Sequence, residues 1–112
     1  ITDGNIILYA DLNDTVAAND FANRLPCNFS GSDSGDDYCC MAANGVYDPL
    51  ETQTGWKNGD ISLGGGWFVL LYGGEKQSRS YRNMMIIGRL DEKSLKQIHS
   101  LPDKVNFYVN FA

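Results

Sequence analysis

The sequence predicts a mainly β domain: an antiparallel β-barrel closed on itself, with two short helices capping its ends. Three observations predict it. Apolar segments of about five to eight residues, rich in β-branched and aromatic side chains, recur along the chain between clusters of Gly, Asn, Asp and Pro. The 12 glycines and 12% aromatic content fit that turn-rich pattern. Finally, the order of elements is strand, helix, several strands, helix, strand, and parallel crossovers do not produce it. Curling into a barrel removes the unpaired edges most economically, and a helix then covers each open end. With 112 residues the chain has the length of one domain, residues 1–112. Folding a chain of that size hides roughly two thirds of its extended surface, enough for one core.

Asn5-Ile6-Ile7-Leu8-Tyr9-Ala10 reads as the first strand, after an Asp3-Gly4 turn signal. Asn13 or Asp14 then caps a helix on which Ala17, Phe21 and Leu25 recur at four-residue intervals, and Pro26 stops it. Between Asn28 and Gly55 the pattern weakens. Ser30 to Asp37 supplies turn formers, Tyr38 to Ala42 reads as a return strand, and Asn44-Gly45 and Asp48-Pro49 mark turns. Gly59 to Leu63 and Trp67 to Tyr72 are strands flanking a Gly64-Gly65-Gly66 corner. The second is apolar on both faces and is expected at the centre of the sheet, covered on each side. Glu75 to Arg82 is a polar loop, and Asn83 to Leu90 another covered strand. Asp91 caps a second helix, with Leu95 and Ile98 inward, that ends at Leu101-Pro102. In the last strand Val105, Phe107, Val109 and Phe111 alternate inward.

Nine Lys and Arg against 14 Asp and Glu leave a net charge of -5, which opposes long-range attraction to nucleic acid or an anionic membrane. No run of about 18 apolar residues is present for membrane insertion. The chain opens on Ile1 rather than Met, so an extracytoplasmic address after removal of a signal stays as open as a cytoplasmic one. Cys27, Cys39 and Cys40 leave a disulfide or three free thiols equally open. No metal is expected, because His99 is the lone histidine and stands far from the cysteines. The acidic loop around Asp33, Asp36 and Asp37 lacks the regular oxygen spacing of a calcium loop. No cofactor is expected either: no Lys-Ser or Lys-Thr follows the glycine run at 64–66, so it is not a phosphate loop. Oligomeric state is not read from these residues.

The order Leu12 to Phe21, Leu25-Pro26, Gly59-Asp60-Ile61, Trp67 to Tyr72 and Ile86-Ile87-Gly88-Arg89-Leu90 resembles the bacterial cyclophilin-like domains, short barrels related in fold to the peptidyl-prolyl isomerases. The resemblance covers nearly the whole chain and implies a cyclophilin-like barrel. It does not carry the isomerase residues over. Cyclophilins use an Arg in a Phe-His-Arg motif, which is absent here, so no catalytic residue is assigned.

The residues left to line a site are Trp56, Trp67, Tyr72 and Tyr81, with Arg82 or Arg89 to fix a carbonyl or carboxylate. Against this, Trp67 and Tyr72 read as core or barrel-rim packing, the favoured reading for Trp67, and Met84 and Met85 read as core filler. The sequence thus points to a binding domain that holds a peptide or small molecule in a barrel-wall groove without catalysis. The alternative is a weak peptidyl-prolyl isomerase in which Arg82 or Arg89 replaces the missing Arg.

Overall fold

A computed structural model describes residues 1–4 and 6–112; Asn5, the expected start of the first strand, lies outside the described residues. Among the described residues nine strands form one antiparallel sheet: β1 (Thr2–Asp3), β2 (Ile6–Ile7), β3 (Ala10–Leu12), β4 (Cys27–Asp33), β5 (Asp37–Met41), β6 (Asp60–Gly64), β7 (Trp67–Leu71), β8 (Ile86–Leu90) and β9 (Lys104–Val109). Their order is β2-β1-β9-β4-β5-β7-β6-β8-β3. The sheet curls into a half-barrel rather than the expected closed barrel, because among the described residues no ladder joins its two edges, β2 and β3. Those edges are successive pieces of one chain segment. Leu8 exchanges hydrogen bonds with Ile1 at 2.7 and 2.9 Å, whereas the Tyr9 carbonyl accepts from Asp91 at 3.0 Å. The segment therefore changes neighbours between residues 8 and 9, and one predicted strand becomes two short ones.

The two helices leave opposite ends of the β3·β8 ladder. In that register Ala10 faces Leu90 and Leu12 faces Gly88, so α1 (Val16–Ala22) follows one end and α2 (Glu92–Gln97) the other. Thr15, rather than Asn13 or Asp14, caps α1: its hydroxyl accepts from the Ala18 amide at 3.1 Å, while the Asn13 carboxamide oxygen accepts from the Thr15 amide and hydroxyl. The helix stops at Ala22, short of Leu25. Asp91 caps α2 as expected, accepting from the Ser94 amide at 2.7 Å. The Ser94 hydroxyl, itself buried, accepts from the Tyr9 amide and ties α2 to the strand change.

One core fills the curl. Phe21 from α1, Phe29 from β4 and Phe68 from β7 stack, with centroids 4.6 Å apart for Phe29–Phe68 and 5.5 Å for Phe21–Phe68. Ile98 and Leu101, after α2, complete it, with Val105, Phe107 and Val109 from β9. Phe111 does not join them: β9 ends at Val109, and Phe111 is 65% exposed. The largest departure from the sequence reading is β4. Ser30 to Asp33, read as turn formers, lie in a strand paired on both sides, with β9 through Phe29↔Phe107 and with β5 through Gly31↔Cys40. Phe29 supplies the inward side chain, and Gly31 permits the close approach, since a Cβ there would overlap the Cys39 carbonyl oxygen. Only Ser34 to Asp36 remain as the hairpin loop.

Candidate functional site

The outer face of the wall is read from the register of its three central strands. Val69 of β7 faces Cys39 of β5 on one side and Ser62 of β6 on the other; one pair further along, Trp67 faces Met41 and Gly64. Successive side chains alternate across a sheet, so these two rows lie outside while Phe68, Leu70, Cys40 and Ile61 point to the core. β7 is central, as expected, but its outer face is only partly covered: Trp67 is 46% exposed and Val69 half-buried. The barrel-packing expectation for Trp67 fails because what crosses this face is an irregular segment, not a second layer.

That segment, residues 42–58, makes the groove. It is strapped to α1 and the turn after it by three polar contacts: the Arg24 guanidinium donates to the Ala43 carbonyl at 2.9 Å, the Val46 amide donates to Asp20 at 3.2 Å, and the Val16 amide donates to Glu51 at 2.9 Å. At its far end Gln53 and Met84 exchange backbone hydrogen bonds at 2.8 and 2.9 Å. The strap thus spans the wall from α1 to the segment before β8. Between strap and wall lies a depression of about 350 Å³, with Trp67 and Val69 on its floor and Tyr47, Pro49, Asn83 and Met84 around it. Gly64 leaves the floor low, since a Cβ there would meet only Met85, at 3.8 Å. A second depression of about 290 Å³ continues past Tyr47 and shares Tyr47, Leu63, Gly64 and Gly65 with the first.

No Asp, Glu, Lys, Arg or His lines the larger depression. Its polar groups are the hydroxyls of Tyr47, Thr52 and Ser62, the Asn83 carboxamide and the Cys39 thiol. The Thr52 hydroxyl spends its proton on the Pro49 carbonyl at 2.8 Å. Burial, and then the Asp37 carboxylate, push the Cys39 thiol above its ordinary range, so it is protonated at neutral pH and is not an activated nucleophile. Cys40, on the core side, is pushed up to about 12 by burial and then by Cys39, and all three cysteines are free thiols. The groove can therefore grip an apolar group and hydrogen-bond a carbonyl or amide.

Of the six residues expected in a site, Trp67 alone lines this groove. Trp56 and Tyr81 pack on each other with centroids 5.2 Å apart, and the Trp56 indole donates to the Gly73 carbonyl at 2.8 Å, which ties the strap to the loop after β7. Tyr72 stands at the far end of the wall. Its hydroxyl donates to Asp33 at 2.5 Å, its ring meets His99 edge-on, and burial with that hydrogen bond raises its pKa. Arg89 lies 3.2 Å from Asp60, and Arg82 is exposed with no ion pair among the described residues. Sequence reasoning missed Tyr47, Pro49, Asn83 and Met84. A large apolar side chain in a polar loop marks both Trp56 and Tyr47 in the sequence. Met85 is core, as expected, but Met84 is half-buried at the groove instead.

A family model described as the cyclophilin-like family matches residues 1–110 of the chain. No curated protein and no solved structure matches it.

Proposed function

The chain belongs to the cyclophilin-like family, and from that premise we propose that it is a non-catalytic binding domain whose outer-wall groove takes a short peptide segment or a small molecule. The observation that carries this reading is the uncharged groove itself: about 350 Å³ around half-exposed Trp67, with no charged side chain among the described residues of its lining. That volume lies within the range of small-ligand pockets, and the adjoining depression beyond Tyr47 supports an elongated occupant. An amphipathic ring such as Trp67 gains by covering its exposed face while keeping its N–H in reach of a partner.

The isomerase alternative asks Arg82 or Arg89 to stand beside the bound proline. Neither lines the groove, and Arg89 is held by Asp60. One experiment separates the readings. Capped tripeptides with Pro, Leu or Phe at the centre are titrated against the protein while Trp fluorescence is followed, with Trp67→Ala as control and a coupled prolyl-isomerisation assay in parallel. A saturable signal, weakened at least about tenfold in Trp67→Ala, is expected. Absence of any saturable binding overturns the proposal. So does an isomerisation rate above background that is lost in Arg82→Ala or Arg89→Ala.

A further inference from the structure

The open side of the half-barrel is built differently from the wall, and its backbone shows how. Asp91 donates to the Tyr9 carbonyl and Asn13 donates to the Ile87 carbonyl. In the antiparallel register of β3 and β8, residues 9, 11 and 13 thus bond β8, and the amides and carbonyls of Ala10 and Leu12 point the other way. Among the described residues nothing pairs with them. The side chains repeat the message. Ala10 and Leu12 face the core side with Leu90 and Gly88, yet both are exposed, Leu12 by 38%. Across the opening, Phe111 falls on the inward parity of β9 and is also exposed. Between the two lips lies a cavity of about 460 Å³ that reaches down to Phe21, Ile61, Phe68 and Ile87, all but buried. It shares no lining residue with the wall groove.

We propose that this opening is a docking site for one extended strand of a separate polypeptide, read as apolar–basic–apolar and seated antiparallel along β3. A strand accounts for the unpaired backbone, the exposed inward side chains on both lips and the cavity together; a compact apolar molecule fills only the cavity. Apolar residues of the incoming strand lie level with Ala10 and Leu12 and turn into the cavity. The residue between them turns outward beside the Asp11 side chain, and among the described residues Asp11 is the one Asp, Glu, Lys or Arg at the cavity's rim. Arg89, the partner of Asp11 across the ladder, is engaged with Asp60, so among the described residues Asp11 has no ion pair. A Lys or Arg on the incoming strand supplies it.

The test is amide exchange, residue by residue, with the peptide Ac-Thr-Val-Lys-Val-Thr-NH2. At saturation the amides of Ala10 and Leu12 are expected to exchange at least about tenfold more slowly, while those of β5 and β7 are unchanged. Asp11→Lys is expected to weaken the Lys peptide about tenfold and to favour its Val-Glu-Val counterpart. Ala10→Pro is expected to abolish the effect while sparing the β3·β8 ladder, to which the Ala10 amide does not contribute. Unchanged exchange at Ala10 and Leu12 overturns the proposal. It is equally overturned if Val-Lys-Val and Val-Glu-Val bind alike to the unsubstituted protein. Saturable binding of neutral N-phenyl-1-naphthylamine without binding of either peptide assigns the cavity to a small molecule instead. Slowed exchange that depends on protein concentration alone assigns the edge to a second copy.

Discussion

The wall groove and the open side are two concavities of similar size on one sheet, about 350 and 460 Å³, made by opposite means. In the groove every strand beneath has a neighbour on each side, so the backbone is spent and only side chains are left to meet a ligand. At the open side the ladder itself stops, and backbone groups of Ala10 and Leu12 remain along with apolar surface. Recognition of a shape around Trp67 belongs to the first; recognition of an extended chain belongs to the second. Phe68 joins them. It floors the open cavity from inside, while Trp67 and Val69, its neighbours on β7, line the groove outside.

Phe68→Ala strikes hardest at that junction. The side chain is 1% exposed and stacks on both Phe21 and Phe29, so its loss is expected to cost about 3–5 kcal/mol in a denaturant titration. If the two sites are as distinct as their linings, the open cavity becomes larger while folded protein still binds tripeptide through Trp67. Loss of both together would join them into one.

A smaller effect is expected at the far end of β5. Asp37, whose Oδ1 is buried without a partner among the described residues, has its pKa raised by burial first and then, against a hydrogen bond from Ser34, by Asp36 and Asp33. A carboxyl whose folded pKa is raised costs nothing below the unfolded value of 3.8, then lowers stability as pH rises through the folded pKa, and holds that penalty above it. Asp37→Asn is therefore expected to stabilise the protein at pH 7 by under about 1 kcal/mol and leave it unchanged at pH 3. Thermal melts at the two pH values check this. Groove affinity is expected to stay the same, since Asp37 is not on its lining.

The smallest effect is expected from Arg89→Ala. Its side chain is 51% exposed beside Asp60, and a pair of that kind contributes under about 1 kcal/mol. Equilibrium unfolding reads it directly, and a larger loss would make the outer face of β8 part of what holds the open edge in place.

Much of the fold was legible because local pattern reports which face a side chain takes. The Gly59–Leu63 and Trp67–Tyr72 runs mark β6 and β7, the Val105-Phe107-Val109 alternation marks β9, and Asp91 marks the start of α2. β4 was not legible, because Asn28, Ser30 and Ser32 carry turn propensity on the face that meets water and Phe29 alone gives the inward signal. The groove was legible only as Trp67, since Tyr47, Pro49, Asn83 and Met84 come from segments 16 to 20 positions away on either side of it.

By itself, then, the sequence determined the apolar faces, the start of α2 and most of the chain positions where strands begin and end, since those follow from side-chain spacing and from Gly, Pro and Asp chemistry within a few residues. Only the tertiary structure decided that residues 6–12 split their pairing between β1 and β8, that a polar run became a central strand, and that Tyr47, Trp67 and Met84 meet. Pairing between distant segments satisfies backbone groups that every residue type carries alike, and so it leaves no local mark to read.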